Sequence, residues 1–235
     1  MAAPGATRGS LRVVAGEVEA GDATSRLVIP SSGQPAWPPF ARAGEVVVSV
    51  GRRFPSHTHQ GEEVLTYVLE GAAQYKESTG AARSLPAGSA AFLTAPGRAA
   101  HTIGPEAGST IRWFSSVVQL PATASAVPNL QWADPHPGDP QTDGSATRTL
   151  VGPNGPMRSG AGLSAQVIRF ADDGTTFRRI GHDRRAIVYA LRGRGEVDGR
   201  PIEIGEAALI DRLAGVALHG FPGFAAMLLT MPARP

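Results

Sequence analysis

The sequence contains no cysteine, which removes disulfides, thiolate nucleophiles and cysteine-based zinc or iron–sulfur sites together. Any metal is left to imidazole and carboxylate. Charge is also sparse: charged residues make up 18% and the formal net charge is only +2. The chain therefore has neither the self-repulsion of a disordered polymer nor a field that would gather nucleic acid, and no nucleic-acid partner is expected. No run approaches the roughly 18 apolar residues of a membrane span. The opening Met1-Ala2-Ala3-Pro4-Gly5 lacks a basic stretch followed by an apolar one, so the expectation is a cytoplasmic chain with no membrane partner.

What is plentiful is turn chemistry. The 29 Gly and 20 Pro are spread along a chain that is 42% hydrophobic, which suits many short strands and opposes long helices. The predicted class is all-β. Strand-like segments fall at Leu11–Val18, Arg26–Ile29, Glu45–Val50, Val64–Leu69, Ala90–Leu93 and Thr110–Val118. Residues 121–162 are dense in Pro, Gly, Asp and Thr and read as a linker or long excursion. A second block then carries strands at Ser164–Phe170, Ala186–Leu191, Ala207–Ile210 and Ala225–Met231. The expected organisation is one barrel over 1–122, an excursion over 123–162 and a second barrel over 163–235. The two blocks look alike: Tyr67-Val-Leu-Glu-Gly71 has a counterpart in Tyr189-Ala-Leu-Arg-Gly193, and Gly88 and Gly205 follow at matching places. Similarity at this period points to a duplicated domain, not to a solenoid.

The chemistry is concentrated in Phe54-Pro-Ser-His57-Thr-His59-Gln-Gly-Glu62-Glu63. Side chains two apart in a strand share a face, so His57 and His59 point together. A third donor is expected from a neighbouring strand, and His101 follows a strand and a Pro-Gly turn that bring it within reach. Neutral imidazole suits zinc, copper, nickel and iron alike. An isolated His-x-His pair carries little information; the pair, the nearby carboxylate and the distant His together make one divalent ion the expected cofactor. Other near-motifs fail. Gly193 to Gly199 leads toward a strand where a dinucleotide fingerprint needs a helix, and Gly162-Leu-Ser164 lacks the closing Gly of a nucleophile elbow. The arginines between 178 and 194 read as solvated charge.

Taken together, Phe54-Pro-Ser-His57-Thr-His59-Gln-Gly-Glu-Glu63, Thr66-Tyr67-Val-Leu-Glu-Gly71 and Ala87-Gly88 through Thr94-Ala95 to His101 resemble the pirin family of bicupins. The resemblance is carried by residues 50–120. It implies two antiparallel jelly-roll cupin barrels, with Fe(II) or a similar ion (Zn, Ni, Mn, Cu or Co) in the first and none in the second. It also implies His57, His59 and His101 as metal ligands. The family's usual fourth ligand is a Glu two residues after the third His, where this chain has Ile103. Glu63 is the expected substitute as ligand or as catalytic base, or else it orients an imidazole. Glu62, of opposite strand parity, is expected in solvent. The end at Pro235, without the family's C-terminal extension, points to a divergent or shortened branch. Aligning Gly193 with Gly71 sets Arg179, Gly181 and Arg185 where His57, His59 and Glu63 stand, so the second half has lost the motif. Three functions follow as expectations. One is a quercetin 2,3-dioxygenase-like oxidoreductase acting on a phenolic small molecule. The others are a non-catalytic metal-binding regulator working through protein partners, and a non-redox cupin isomerase or hydrolase.

Overall fold

A computed structural model describes residues 9–21, 23–32, 34, 37–52, 54–78, 80–122 and 127–233. Expectations placed on Met1 to Gly5, Arg53 and Pro235 lie outside the described residues. Among those described, every regular element is a strand and every pairing between strands is antiparallel. No helix is long and apolar enough to cross a membrane.

The strands make two barrels, each with a seven-stranded and a four-stranded sheet. In the first, the large sheet runs Asn129–Ala133, Ala90–Ala95, Glu62–Glu70, Ile111–Gln119, Phe40–Val48, Thr24–Ile29, Glu17–Ala20. Its small sheet runs His57–His59, Ala99–Pro105, Ala72–Glu77, Ala82–Pro86. The second barrel repeats this order position for position. Its large sheet is Ser10–Ala15, Glu206–Asp211, Arg184–Arg192, Ala225–Pro232, Ser164–Phe170, Ser145–Val151, Asp139–Pro140, and its small sheet is Gly174–Arg179, Gly215–Gly220, Arg194–Val197, Arg200–Glu203. The duplication expected from the paired Tyr-x-Leu-x-Gly runs is thus present at the level of sheet order.

The barrels are not cut where the sequence suggested. Leu11–Val18 is two strands, interrupted at Gly16, where a Cβ would stand 2.7 Å from the Gly205 carbonyl oxygen. On one side of that break Ser10–Ala15 pairs with Glu206–Asp211 in the second barrel, and on the other Glu17–Ala20 pairs with Thr24–Ile29 in the first. The stretch 123–162, expected to be an excursion, supplies strands to the margins of both large sheets, with Asp139–Pro140 outermost in the second. Asn129–Ala133 pairs with Ala90–Ala95, and Ser145–Val151 with Ser164–Phe170. Each barrel is closed by a strand from outside its own block.

Strand alternation explains the three apolar layers. Along Glu62–Glu70, Val68 packs inside the first barrel beside Tyr75 and Trp113, while Leu65 and Tyr67 face the other way. There they meet Phe114, Val167, Tyr189 and Leu229 in a core shared by the two large sheets. Both faces of these strands are buried, so the sequence reads as a continuous apolar run where a one-sided strand would alternate. Each fully buried aromatic or branched side chain contributes about 1.5 to 3 kcal/mol relative to exposure.

Candidate metal centre

The short strand His57–His59 lies against Ala99–Pro105 with His101 opposite His57 and Ala99 opposite His59. Alternation sends both imidazoles of the pair to the face that His101 also uses. Gly61, in the left-handed region at φ 68°, makes the tight reversal that leads from His59 into Glu62–Glu70. The three rings converge through their Nε2 atoms. His101 Nε2 lies 2.8 Å from His57 Nε2 and 3.3 Å from His59 Nε2, and the candidate ligand atoms are all within 4.8 Å of one another. Nitrogens bound to one ion at about 2.1 Å stand about 3.0 to 3.4 Å apart, and the two distances from His101 lie within a few tenths of an ångström of that range.

The opposite ring nitrogens say which proton sits where. His57 Nδ1 is 3.1 Å from the Pro55 carbonyl oxygen, which can only accept. His59 Nδ1 is 2.7 Å from Glu62 Oε2. Both rings therefore carry hydrogen on Nδ1 and present a bare Nε2 inward. His101 Nδ1 is 2.6 Å from the Tyr75 hydroxyl. Burial keeps this phenol protonated above its ordinary range, reinforced by the charge of Glu77. Burial also pulls His101 down to about 3, helped by repulsion from His57 and His59, and lowers His57 for the same leading reason. Three imidazoles turned Nε2 to Nε2 fit a shared cation, with the Tyr75 oxygen able to accept a hydrogen bond from His101 Nδ1 when Nε2 ligates. The donor set accepts a metal ion.

Glu63 does not take part in it. Its side chain is fully buried on the opposite face of its strand, toward the second barrel. There it accepts from Ser159 Oγ at 2.5 Å, Gly160 N at 2.7 Å, Thr94 Oγ1 at 3.3 Å and Ala161 N at 3.4 Å. The expectation of Glu63 as ligand or base is corrected: its oxygens anchor the segment 159–161. Parity works in favour of Glu62, which meets His59 where a solvated residue was expected. Tyr75 is the other orienting residue missed in the sequence. No motif announces it, because its contact with His101 depends on the register that sets Ile103 opposite Tyr75.

A cavity of about 40 Å³ opens beside the imidazoles, lined among others by Arg42, Phe54, Thr66, Ile103, Trp113 and Ser115. Among the described residues lining it, none is a carboxylate. Phe54 stands edge-on to His57 and to Trp113, with ring centroids 5.1 and 5.5 Å apart. Phe54 and Ile103 also line an outer groove of about 700 Å³, so these two side chains divide the inner cavity from open space.

The second barrel has the same scaffold without the donors. Strand pairing sets Arg178 opposite Val216, where the first barrel has His57 opposite His101, and Ile180 next to Ala214 in the place of His59. The register is one residue off the sequence alignment because the turn after Ile180 is one residue longer than the turn after His59. His182 bonds the Arg212 carbonyl and His219 bonds Thr175. Neither joins a metal cluster among the described residues.

The family model for pirin matches residues 14–111. Over that segment the chain resembles the pirins. A pirin-like protein of Caulobacter vibrioides is 29% identical over 154 residues, 61% of this chain and 56% of that protein. This chain spans between 56 and 62% of the length of that relative and of a Pseudomonas aeruginosa one. Among solved structures, the Escherichia coli pirin YhhW in complex with nickel(II) superposes with a TM-score of 0.83 at 15% identity, covering 96% of this chain and 100% of that one. A quercetin 2,3-dioxygenase of Acinetobacter baumannii gives 0.82 at 16% identity, covering 94% and 79%. The matched segment contains the three imidazoles, Glu62 and Tyr75. Its likeness to the solved structures establishes the fold of two cupin barrels.

Proposed function

We propose that this chain is a metal-dependent cupin oxygenase of the cytoplasm, holding one divalent ion, Fe(II) first among the candidates, on His57, His59 and His101. The substrate class proposed is a phenolic or flavonol-like small molecule. The observation that carries this reading is the convergence of three Nε2 atoms beside a cavity. A ligand in the YhhW structure is nickel(II) and one structural neighbour is a quercetin 2,3-dioxygenase; both lend support. When bound, a redox-active ion would supply Lewis acidity and the means to engage dioxygen. The chain's own residues do the rest. Glu62 and the Pro55 carbonyl hold His59 and His57 in the ligating tautomer, and the Tyr75 hydroxyl fixes the orientation of the His101 ring. Phe54, Trp113 and Ile103 give the cavity apolar walls that limit water. The outer groove has room for a fused aromatic ring system.

A second reading, a non-catalytic metal-binding regulator that acts through a protein partner, is favoured by the lack of a carboxylate base among the described cavity residues. The test is elemental analysis of protein purified without added metal, wild type against the double variant His57→Ala/His59→Ala, followed by oxygen uptake of the iron-loaded wild type over a panel of flavonols. Metal confined to the wild type and oxygen consumption are expected. Equal metal content in both removes the site. Metal without oxygen uptake supports the regulator, and turnover with zinc in the absence of oxygen supports a non-redox isomerase or hydrolase.

A further inference from the structure

Arg42 is the one guanidinium among the described residues lining the inner cavity, and unbroken alternation with Val46 and Val48 puts it there. In the pairing with Ile111–Gln119, Val117 lies opposite Arg42 but Val118 lies opposite Phe40, leaving Ala41 as an extra residue. Without that bulge Phe40 and Arg42 would share a face. With it Phe40 packs into the core between the barrels, while Arg42 keeps the face of Val46, toward the cavity.

Among the described residues the arginine has little compensation: its guanidinium reaches Ser25 Oγ at 3.5 Å, and the opposing charge that acts on it is Glu19, on an exposed strand. Its positive charge instead bears on His57. With a divalent ion on three neutral imidazoles, the cavity would hold two positive centres and no negative side chain. Ile103, 2% exposed, contributes only methyl groups to the wall. Separated positive charges in a low-dielectric pocket attract an anion and disfavour its neutral isostere.

We propose that Arg42 is an anion-recognition residue: the inner cavity selects a ligand carrying a carboxylate, enolate or phenolate oxygen, held between the guanidinium and the imidazole-bound ion. One water takes roughly 10 to 15 Å³ of such space, so about 40 Å³ accepts the ionised head of a ligand and leaves its body to the outer groove. The ligand arrives already ionised, which accounts for a cavity without a base. This inference deepens the metal-binding function proposed above and rests on it.

The experiment is a titration of the full-length Co(II)-loaded protein with formate and acetate, and with formamide and acetamide as neutral controls, read by Co(II) visible absorption. The anions are expected to change the spectrum and the amides to leave it unchanged. Arg42→Leu is expected to weaken acetate binding at least tenfold with Co(II) occupancy unaltered, and Arg42→Lys to fall between. Equal acetate affinity in wild type and Arg42→Leu overturns the role of Arg42. So does a wild-type protein that binds acetamide as well as acetate, a result independent of how any variant folds. Failure of the wild type to take up Co(II) removes the metal reading itself, a different outcome from either.

Discussion

Replacing Glu63 by alanine separates a structural role from a chemical one. The carboxylate is wholly buried and accepts from the Ser159 hydroxyl and from the amides of Gly160 and Ala161. Alanine would leave the buried Ala161 amide and the less buried Ser159 hydroxyl and Gly160 amide without their charged acceptor. A net hydrogen bond to a charged group contributes about 1.5 to 3 kcal/mol, and a buried donor left unpaired costs about 1 to 3 kcal/mol. Allowing for relaxation of the segment 159–161, Glu63→Ala should destabilise the protein by about 3 to 5 kcal/mol. For a chain of this length that is a fall of roughly 6 to 20 °C in Tm. Glu63→Gln, which keeps one acceptor but turns an amide group toward the donors, should lie between. Metal content per folded molecule should stay at the wild-type level in both. The assays are thermal unfolding and elemental analysis of the folded fraction. Lost metal with unchanged Tm would refute the reasoning and return Glu63 to the metal centre.

Tyr75→Phe removes the oxygen that fixes the His101 ring with little change in packing, so metal affinity measured against a competing chelator should fall roughly 10- to 100-fold while Tm of the metal-free protein changes little; an unchanged affinity would count against the orienting role. Ile103→Glu buries a carboxylate in the cavity wall. The metal-free variant should lose about 1.5 to 3 kcal/mol of apolar burial, yet gain more Tm on metal addition than the wild type, and an equal gain in both would show that position 103 does not reach the ion. Because burial lowers His57, and lowers His101 to about 3, protons should displace metal only below the ordinary imidazole range, as followed by metal retention across a pH series. In the metal-free protein the unfolded chain binds the extra proton between about 6.5 and 3. Stability should therefore be full above pH 6.5 and decline toward pH 3 by up to about 1.4 kcal/mol per unit for one such ring; a flat urea midpoint between pH 7 and 4 would contradict this.

The imidazole triad was legible because two of its members are two apart on one strand and the third follows a Pro-Gly turn, relations that local periodicity preserves. Glu62 and Glu63 were read in reverse because the reversal at Gly61 restarts the alternation, and a sequence does not say on which residue a new strand begins its pleat. Arg42 was invisible for a related reason: the strand was expected to begin at Glu45, whereas it begins at Phe40, so residues 40–44 were given no face. The duplication was readable from its glycines, but the strands within 123–162 were not. They hold themselves in place with a few apolar residues, such as Leu130, Trp132, Leu150 and Val151, amid turn-forming neighbours, and their partners are more than thirty residues away in Ala90–Ala95 or only just ahead in Ser164–Phe170.

The exchange of edge strands has a topological consequence. A polypeptide ending near residue 122 would leave Ala90–Ala95 as a bare sheet margin and Ser10–Ala15 without its mate, since the mate, Glu206–Asp211, is made almost last. Neither half is a severable module. During synthesis the beginning of the chain has to wait for the end, and on heating both barrels should melt in one transition, so that an ion held in the first half would steady the second, where no donor cluster lies among the described residues.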